Sequence, residues 1–153
     1  VISNNPKAKG VNFTKKYSIP YFIVNTKVRN FENIILAYLK RYRINIICLA
    51  GYMRIISKKF LRSFGKNIIN IHPSLLPKFK GLNTFKRIIE KKETKSGCTV
   101  HYVNDKLDEG KVITQKSFYL ASNSSELDLK KKTQKLEYLA YPEAIVKIFR
   151  SNF

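Results

Sequence analysis

Asn67 to Pro77 reads NIINIHPSLLP, and the order of its residues decides the fold. Ile68, Ile69 and Ile71 make an apolar, β-branched run suited to a strand buried on both faces. Pro73 ends it, because proline has no N–H to give to a sheet ladder. Side chains alternate across a strand, so Asn70 and His72 share one face while Ile69 and Ile71 share the other. Two polar groups on one face, at the carboxyl end of an otherwise buried strand, ask for a reason beyond packing.

Outward from this strand the pattern alternates. Tyr21 to Val24 (YFIV) reads as a short strand after Pro20. Asn30 to Arg43 reads as a helix, with Asn30 at the N-cap and Phe31, Ile34, Ile35, Tyr38 and Leu39 at helical spacing. Ile44 to Gly51 (INIICLAG) is a continuous apolar strand closed by glycine, and Ser57 can cap a short helix through Phe64. Downstream, Asn83 and Thr84 open a helix, and Cys98 to Val103 and Lys111 to Leu120 read as strands. A long amphipathic helix runs from Ser124 or Ser125 to Phe149. Such alternation predicts an α/β fold: a mainly parallel, Rossmann-like sheet with helices on both faces. Ligands of these sheets sit beyond the carboxyl ends of the strands, where LAGYMRI and NIHPS fall.

A chain of 153 residues suits one domain whose core needs no disulfide or metal. The formal net charge is +20, which raises the question of nucleic acid. The excess is mostly lysine spread along the chain, and the aromatic residues do not interleave with it in a patch. Nucleic acid is therefore not the expected partner, and the charge instead favours steering of anionic small substrates. No apolar run reaches the roughly 18 residues of a membrane span, and the first residues do not read as a secretory signal, so a cytoplasmic protein is expected. Cys48 and Cys98 each lie in an apolar, strand-like run and read as reduced, buried thiols. Val1-Ile2-Ser3 reads as the end of a strand with nothing before it, so the chain is expected to begin inside its domain.

The chemistry narrows quickly. His72 and His101 are the 2 histidines, and no cysteine or carboxylate cluster has metal-ligand spacing, so no metal is expected. There is no GxGxxG, no GxxxxGK[ST] and no GxSxG. What remains is Asn70, His72 and a carboxylate from NDKLDEGKVI, Asn104 to Ile113. An asparagine amide can donate to an oxygen that turns negative when a carbonyl is attacked; losing one such donor costs about 3 kcal/mol. Histidine moves protons near neutral pH, and a neighbouring aspartate can orient it and raise its pKa. No serine or cysteine nucleophile is evident beside His72, which points to direct acyl transfer between bound partners. Each residue also has a structural alternative. Asn70 can cap the turn into HPSLLP, His72 can be a hydrogen-bonded strand end, and Asp108 can form a turn with Glu109-Gly110. His101 shares a face with Thr99 and can support the site or the fold.

NIINIHPSLLPKFKGLNTFKRIIE, residues 67 to 90, followed by GCTVHYVNDKLDEGKVITQ, residues 97 to 115, resembles the folate-dependent formyltransferase family. The likeness runs over nearly the whole chain, and Pro73 with KGLNTFKR places it nearest the members that act on glycinamide ribonucleotide in purine biosynthesis. The resemblance implies the formyltransferase fold and transfer of the formyl group of 10-formyltetrahydrofolate, a cosubstrate, to the amine of glycinamide ribonucleotide, without a metal. It implies Asn70, His72 and Asp108 as the catalytic trio. It puts Met53, Arg54, Ile55 and Ile56, with Leu49, Val103, Asn104, Asp105 and Leu107, around the folate. Lys27 or Arg29 would meet the folate tail, Pro73, Gln134 and Glu137 would meet the nucleotide substrate, and Leu76–Pro77 is expected to be cis. The family's first strand and glycine-rich phosphate loop would precede Val1. The expectation is thus a single, N-terminally incomplete formyltransferase domain, 1–153, lacking both, as a monomer or homodimer. A related folate-dependent formyltransferase, a formyltetrahydrofolate hydrolase with the same trio, or a catalytically impaired fragment stays open. A basic nucleic-acid-binding module ranks last.

Overall fold

The computed structural model describes residues 1–150. Its elements are, in chain order, β1 (Ile2–Ser3), α1 (Lys9–Lys16), β2 (Phe22–Ile23), α2 (Phe31–Arg41), β3 (Ile46–Leu49) and α3 (Lys58–Phe64), then β4 (Asn67–His72), α4 (Thr84–Glu90), β5 (Lys95–Tyr102), β6 (Val112–Tyr119) and α5 (Glu126–Arg150). They form two compact units, one of Val1–Asn45 with Lys58–Gly65, the other of Ile46–Ser57 and the chain from Lys66 onward.

In the first unit β1 and β2 pair in parallel, Ile2 opposite Phe22 and Ser3 opposite Ile23. The Phe22 ring stacks on Tyr38 of α2 with centroids 3.8 Å apart. Asn30 occupies the N-cap of α2 as the spacing predicts, but its side chain makes no capping bond; its carbonyl receives the first turn's N–H groups from Asn33 and Ile34. Helix α1 has no counterpart in the sequence reading. Its eight residues carry Gly10 and three lysines, and only Val11 and Thr14 turn inward, too few apolar positions to show a period.

The second unit carries the sheet β3-β4-β5-β6. Strands β3 and β4 pair in parallel, with Leu49 opposite Asn70, as their continuous apolar runs predict, although β3 is only half-buried. Pairings β4–β5 and β5–β6 are antiparallel, so this sheet is mixed. Only nine residues, 103–111, separate β5 from β6; a parallel return would need a crossover of about a dozen or more. Strand β5 also begins at Lys95, earlier than the apolar run from Cys98 suggests. Gly97 explains why the strand can pass there: a Cβ would lie 1.9 Å from the Lys116 carbonyl oxygen across the ladder.

One face of this sheet carries Ile69, Cys98 and Val100, all fully buried against Ala140, Ala144 and Ile148 of α5. The two alanines let the helix backbone close on the strands, and burying Ile69 alone contributes about 1.5–3 kcal/mol. Helix α5 starts where Ser125 and Asp128 satisfy each other's backbone N–H groups, at 3.1 and 3.2 Å. It is fastened to the sheet by the Tyr141 hydroxyl, 2.7 Å from the Leu49 carbonyl and 3.1 Å from that of Ile69. Cys98 is buried as expected, its thiol pushed up to about 11 chiefly by burial. Cys48 is exposed, contrary to expectation. Its side chain lies on β3, which carries a ladder partner on only one side within its sheet, so an apolar run there does not guarantee burial. Among the described residues no helix is long and apolar enough to cross a membrane.

Candidate active site

Since Ile69 and Ile71 pack on the α5 side, Asn70 and His72 face the other side of the sheet. Directly opposite residues of neighbouring strands share a face, and the register sets Asn70 against His101 and His72 against Thr99. Four polar side chains thus converge on one patch of sheet. Thr99 and His101 alternate in CTVHYV as Asn70 and His72 do in NIINIH, so this convergence had a signal in the sequence that only the antiparallel register completes.

Thr99 and Gln115 shape the loop beyond His72. The Thr99 hydroxyl donates to the Ser74 carbonyl at 2.7 Å and accepts from the Leu76 N–H at 3.0 Å. The Gln115 amide donates to the Leu76 carbonyl at 2.9 Å. Leu76–Pro77 is cis, as the resemblance implies. Ser74, the hydroxyl nearest His72 in sequence, is fully buried and donates to the Lys78 carbonyl at 2.6 Å, so it is not poised as a nucleophile.

Asp108 arrives from the β5–β6 loop with φ 52°, a left-handed conformation that aspartate tolerates better than most residues. One of its oxygens lies 3.3 Å from His72 Nδ1 and accepts the Gly81 N–H at 2.9 Å. The other lies 3.6 Å from His101 Nε2. The His101 Nδ1–H donates to the Tyr102 carbonyl at 2.8 Å, which fixes that imidazole's orientation. Gly110 makes room for this arrangement, since a Cβ there would lie 1.6 Å from the Tyr102 carbonyl oxygen and 3.4 Å from His101 Nδ1.

His72 is 6% exposed, and its Nε2 lies 2.8 Å from the Phe79 carbonyl oxygen. Both of its polar neighbours, a carbonyl and a carboxylate, only accept. The geometry therefore suits an imidazole with protons on both nitrogens. Burial is the largest influence and leaves its pKa below the usual histidine value; the Phe79 carbonyl and the Asp108 charge oppose that shift without cancelling it, and the His101 and Arg87 charges add to it. Burial also raises the Asp108 carboxyl, but the His101 side chain, the Gly81 N–H and the two imidazoles outweigh it and hold the acid at about 2. The result is a carboxylate that stays charged beside a buried imidazole, on the face that also carries an amide. Such a group can polarise a bound carbonyl, hold an oxyanion and relay a proton.

The other expected site residues are more dispersed. Met53 and Ile55 follow β3 and are 74% exposed, with Arg54 exposed, Ile56 buried and Leu49 half-buried. Leu107 is 55% exposed, Asn104 and Asp105 are exposed and Val103 is half-buried. Exposed Met53, Ile55 and Leu107 leave apolar side chains open to a ligand. Pro73 is half-buried directly after His72. Gln134 is exposed and Glu137 half-buried one turn apart on α5, and burial raises the Glu137 carboxyl. Lys27 and Arg29 belong to the first unit. Among the described residues, no group of three or more His, Cys, Asp or Glu side chains is placed to hold a metal ion.

Residues 1–145 match the family described as Formyl transferase. The chain is 39% identical over 151 residues to the phosphoribosylglycinamide formyltransferase of Haemophilus influenzae, covering 95% of this chain and 70% of that protein. It is 40% identical over 149 residues to the trifunctional purine biosynthetic protein adenosine-3 of Drosophila pseudoobscura pseudoobscura, covering 95% of this chain and 11% of that one. Among solved structures, a phosphoribosylglycinamide formyltransferase from Anaplasma phagocytophilum superposes with a TM-score of 0.92 at 36% identity, over 99% of this chain and 74% of that chain.

Proposed function

Because this chain belongs to the formyl transferase family, we propose that it transfers the formyl group of 10-formyltetrahydrofolate to the primary amine of glycinamide ribonucleotide, in purine biosynthesis. The observation that carries the reading is the buried His72–Asp108 pair, on the same sheet face as Asn70 and lacking a poised nucleophile. In this reading the amine attacks the formyl carbon and the carbonyl electron pair moves onto oxygen. The Asn70 amide and the His72 imidazolium stabilise that oxyanion. Asp108 keeps His72 charged and takes part in passing the amine's proton, through water, to the departing folate nitrogen. The C–N bond to the folate then breaks, leaving tetrahydrofolate and a formamide.

For the folate we assign Leu49, Met53 to Ile56, Val103 to Asp105 and Leu107, whose exposed apolar members offer walls to the ring system. Pro73, Gln134 and Glu137 are assigned to the nucleotide substrate. Calorimetric titration of the chain with a non-hydrolysable 10-formyl folate analogue, and separately with glycinamide ribonucleotide, tests the assignment. Folate-analogue binding that weakens in Met53→Asp or Ile55→Asp supports it; no binding of either compound removes it.

A further inference from the structure

The turn 79–82 holds both members of the His72–Asp108 pair. Its Phe79 carbonyl meets His72 Nε2 at 2.8 Å, and its Gly81 N–H donates to Asp108 at 2.9 Å. This turn is not a relaxed one. Phe79 has φ 59°, Gly81 φ 77° and Asn83 φ 55°, and a bulky aromatic residue at positive φ persists only where its surroundings impose it. The side chain packed on this turn is Arg87, one turn into α4. Its Nη1 donates to the Lys80 carbonyl at 2.6 Å and lies 3.3 Å from the Leu82 carbonyl, while the guanidinium sits over the Phe79 ring, 5.6 Å from its centroid.

We propose that Arg87 is a positioning residue: it latches the 79–82 turn, and through the Phe79 carbonyl and the Gly81 N–H it sets the orientation and separation of His72 and Asp108. The proposal rests on the reading of that pair as the acid–base centre. A guanidinium suits the task, since its Nη1 reaches two carbonyls while its plane lies over a ring, a planar contact that an ammonium does not offer. Other ties to the turn are weaker or differently aimed. Thr84 Oγ1 donates to the Gly81 carbonyl at 3.0 Å and anchors the helix start. The Lys80–Glu109 ion pair at 2.8 Å is more than a third exposed on both sides or nearly so, and screened by water.

The test compares the chain with its Arg87→Met and Arg87→Lys variants. The first readout is hydrogen exchange at the Gly81 amide with the ¹⁵N shifts of the His72 imidazole at pH 7, neither of which requires turnover. The second is formyl transfer, resolved into kcat and the folate KM. The latch predicts that Arg87→Met speeds Gly81 exchange and shifts the His72 nitrogens, while amides of β5 and α5 keep wild-type protection. It also predicts that kcat falls about tenfold or more with the folate KM little changed, as for a misplaced catalytic group. Arg87→Lys keeps the charge but not the fork, and recovers only part of each change. Should Arg87→Met fail to fold, Arg87→Lys alone decides. Wild-type Gly81 exchange and wild-type His72 shifts in a folded variant overturn the latch. A wild-type chain without formyl transfer, but with the exchange and shift changes, removes the functional reading and leaves the latch standing.

Discussion

Replacing Asp108 by asparagine separates the charge of the site from its shape. An amide has nearly the outline of a protonated carboxyl and retains an oxygen for the Gly81 N–H, yet puts no charge beside His72 and His101. The Asp108 carboxyl sits at about 2 in the folded chain against an ordinary 3.8, which corresponds to about 2 kcal/mol of folding free energy at neutral pH. The folded-state value lies below the unfolded one. The stabilisation is therefore complete well above the unfolded value and is lost as pH falls through the folded one. Wild type and Asp108→Asn should differ by about 2 kcal/mol at pH 7, by about half of that at pH 3, and by little near pH 2. Urea denaturation followed by circular dichroism, at constant ionic strength from pH 7 to the lowest pH at which the chain folds, measures the gap directly. An unchanged urea slope confirms that both chains unfold alike. A gap that stays constant across this range, or no gap at pH 7, refutes the charged pair.

Asn70→Ala should lower single-turnover formyl transfer by about 100-fold or more, the loss of one oxyanion donor, while folate-analogue binding by calorimetry stays within about twofold. Gly110→Ala drives a Cβ toward the Tyr102 carbonyl oxygen, 1.6 Å away without relaxation, and should destabilise by about 1–3 kcal/mol in urea titration. Tyr141→Phe removes the hydroxyl that fastens α5 to β3 and β4 and should cost about 1 kcal/mol, a fall of a few degrees in melting temperature.

The stretch that organises the site was legible because a two-residue period leaves no choice. With Ile69 and Ile71 inward to α5, Asn70 and His72 had to share the other face, and they do. The position of Asp108 was not legible from spacing. It follows His72 by a helix and a strand, and only the family likeness pointed to it before the register of β5 brought its loop back over β4. The antiparallel course of β5 and β6 escaped notice because apolar content marks a strand as buried without fixing its direction. His101 was undervalued for the same reason, since its facing toward Asn70 depends on that direction. Arg87 closes the KGLNTFKR stretch that carried the family likeness, but its role had no signal: its partners are backbone carbonyls of a turn whose left-handed residues are, apart from glycine and asparagine, the unlikely ones for it. Helix α1 and exposed Cys48 were missed where few apolar side chains, or an edge position, decouple pattern from burial.

The most direct measurement follows a ¹³C-labelled formyl group by NMR in a mixture of this chain, 10-formyltetrahydrofolate and glycinamide ribonucleotide, with His72→Asn alongside. Formyl transfer at this trio predicts that the label appears as a formamide on the ribonucleotide amine with wild type and at a rate lower by about 100-fold or more with His72→Asn. Label that stays on the folate, leaves as formate, or reaches the amine equally fast in the variant contradicts it.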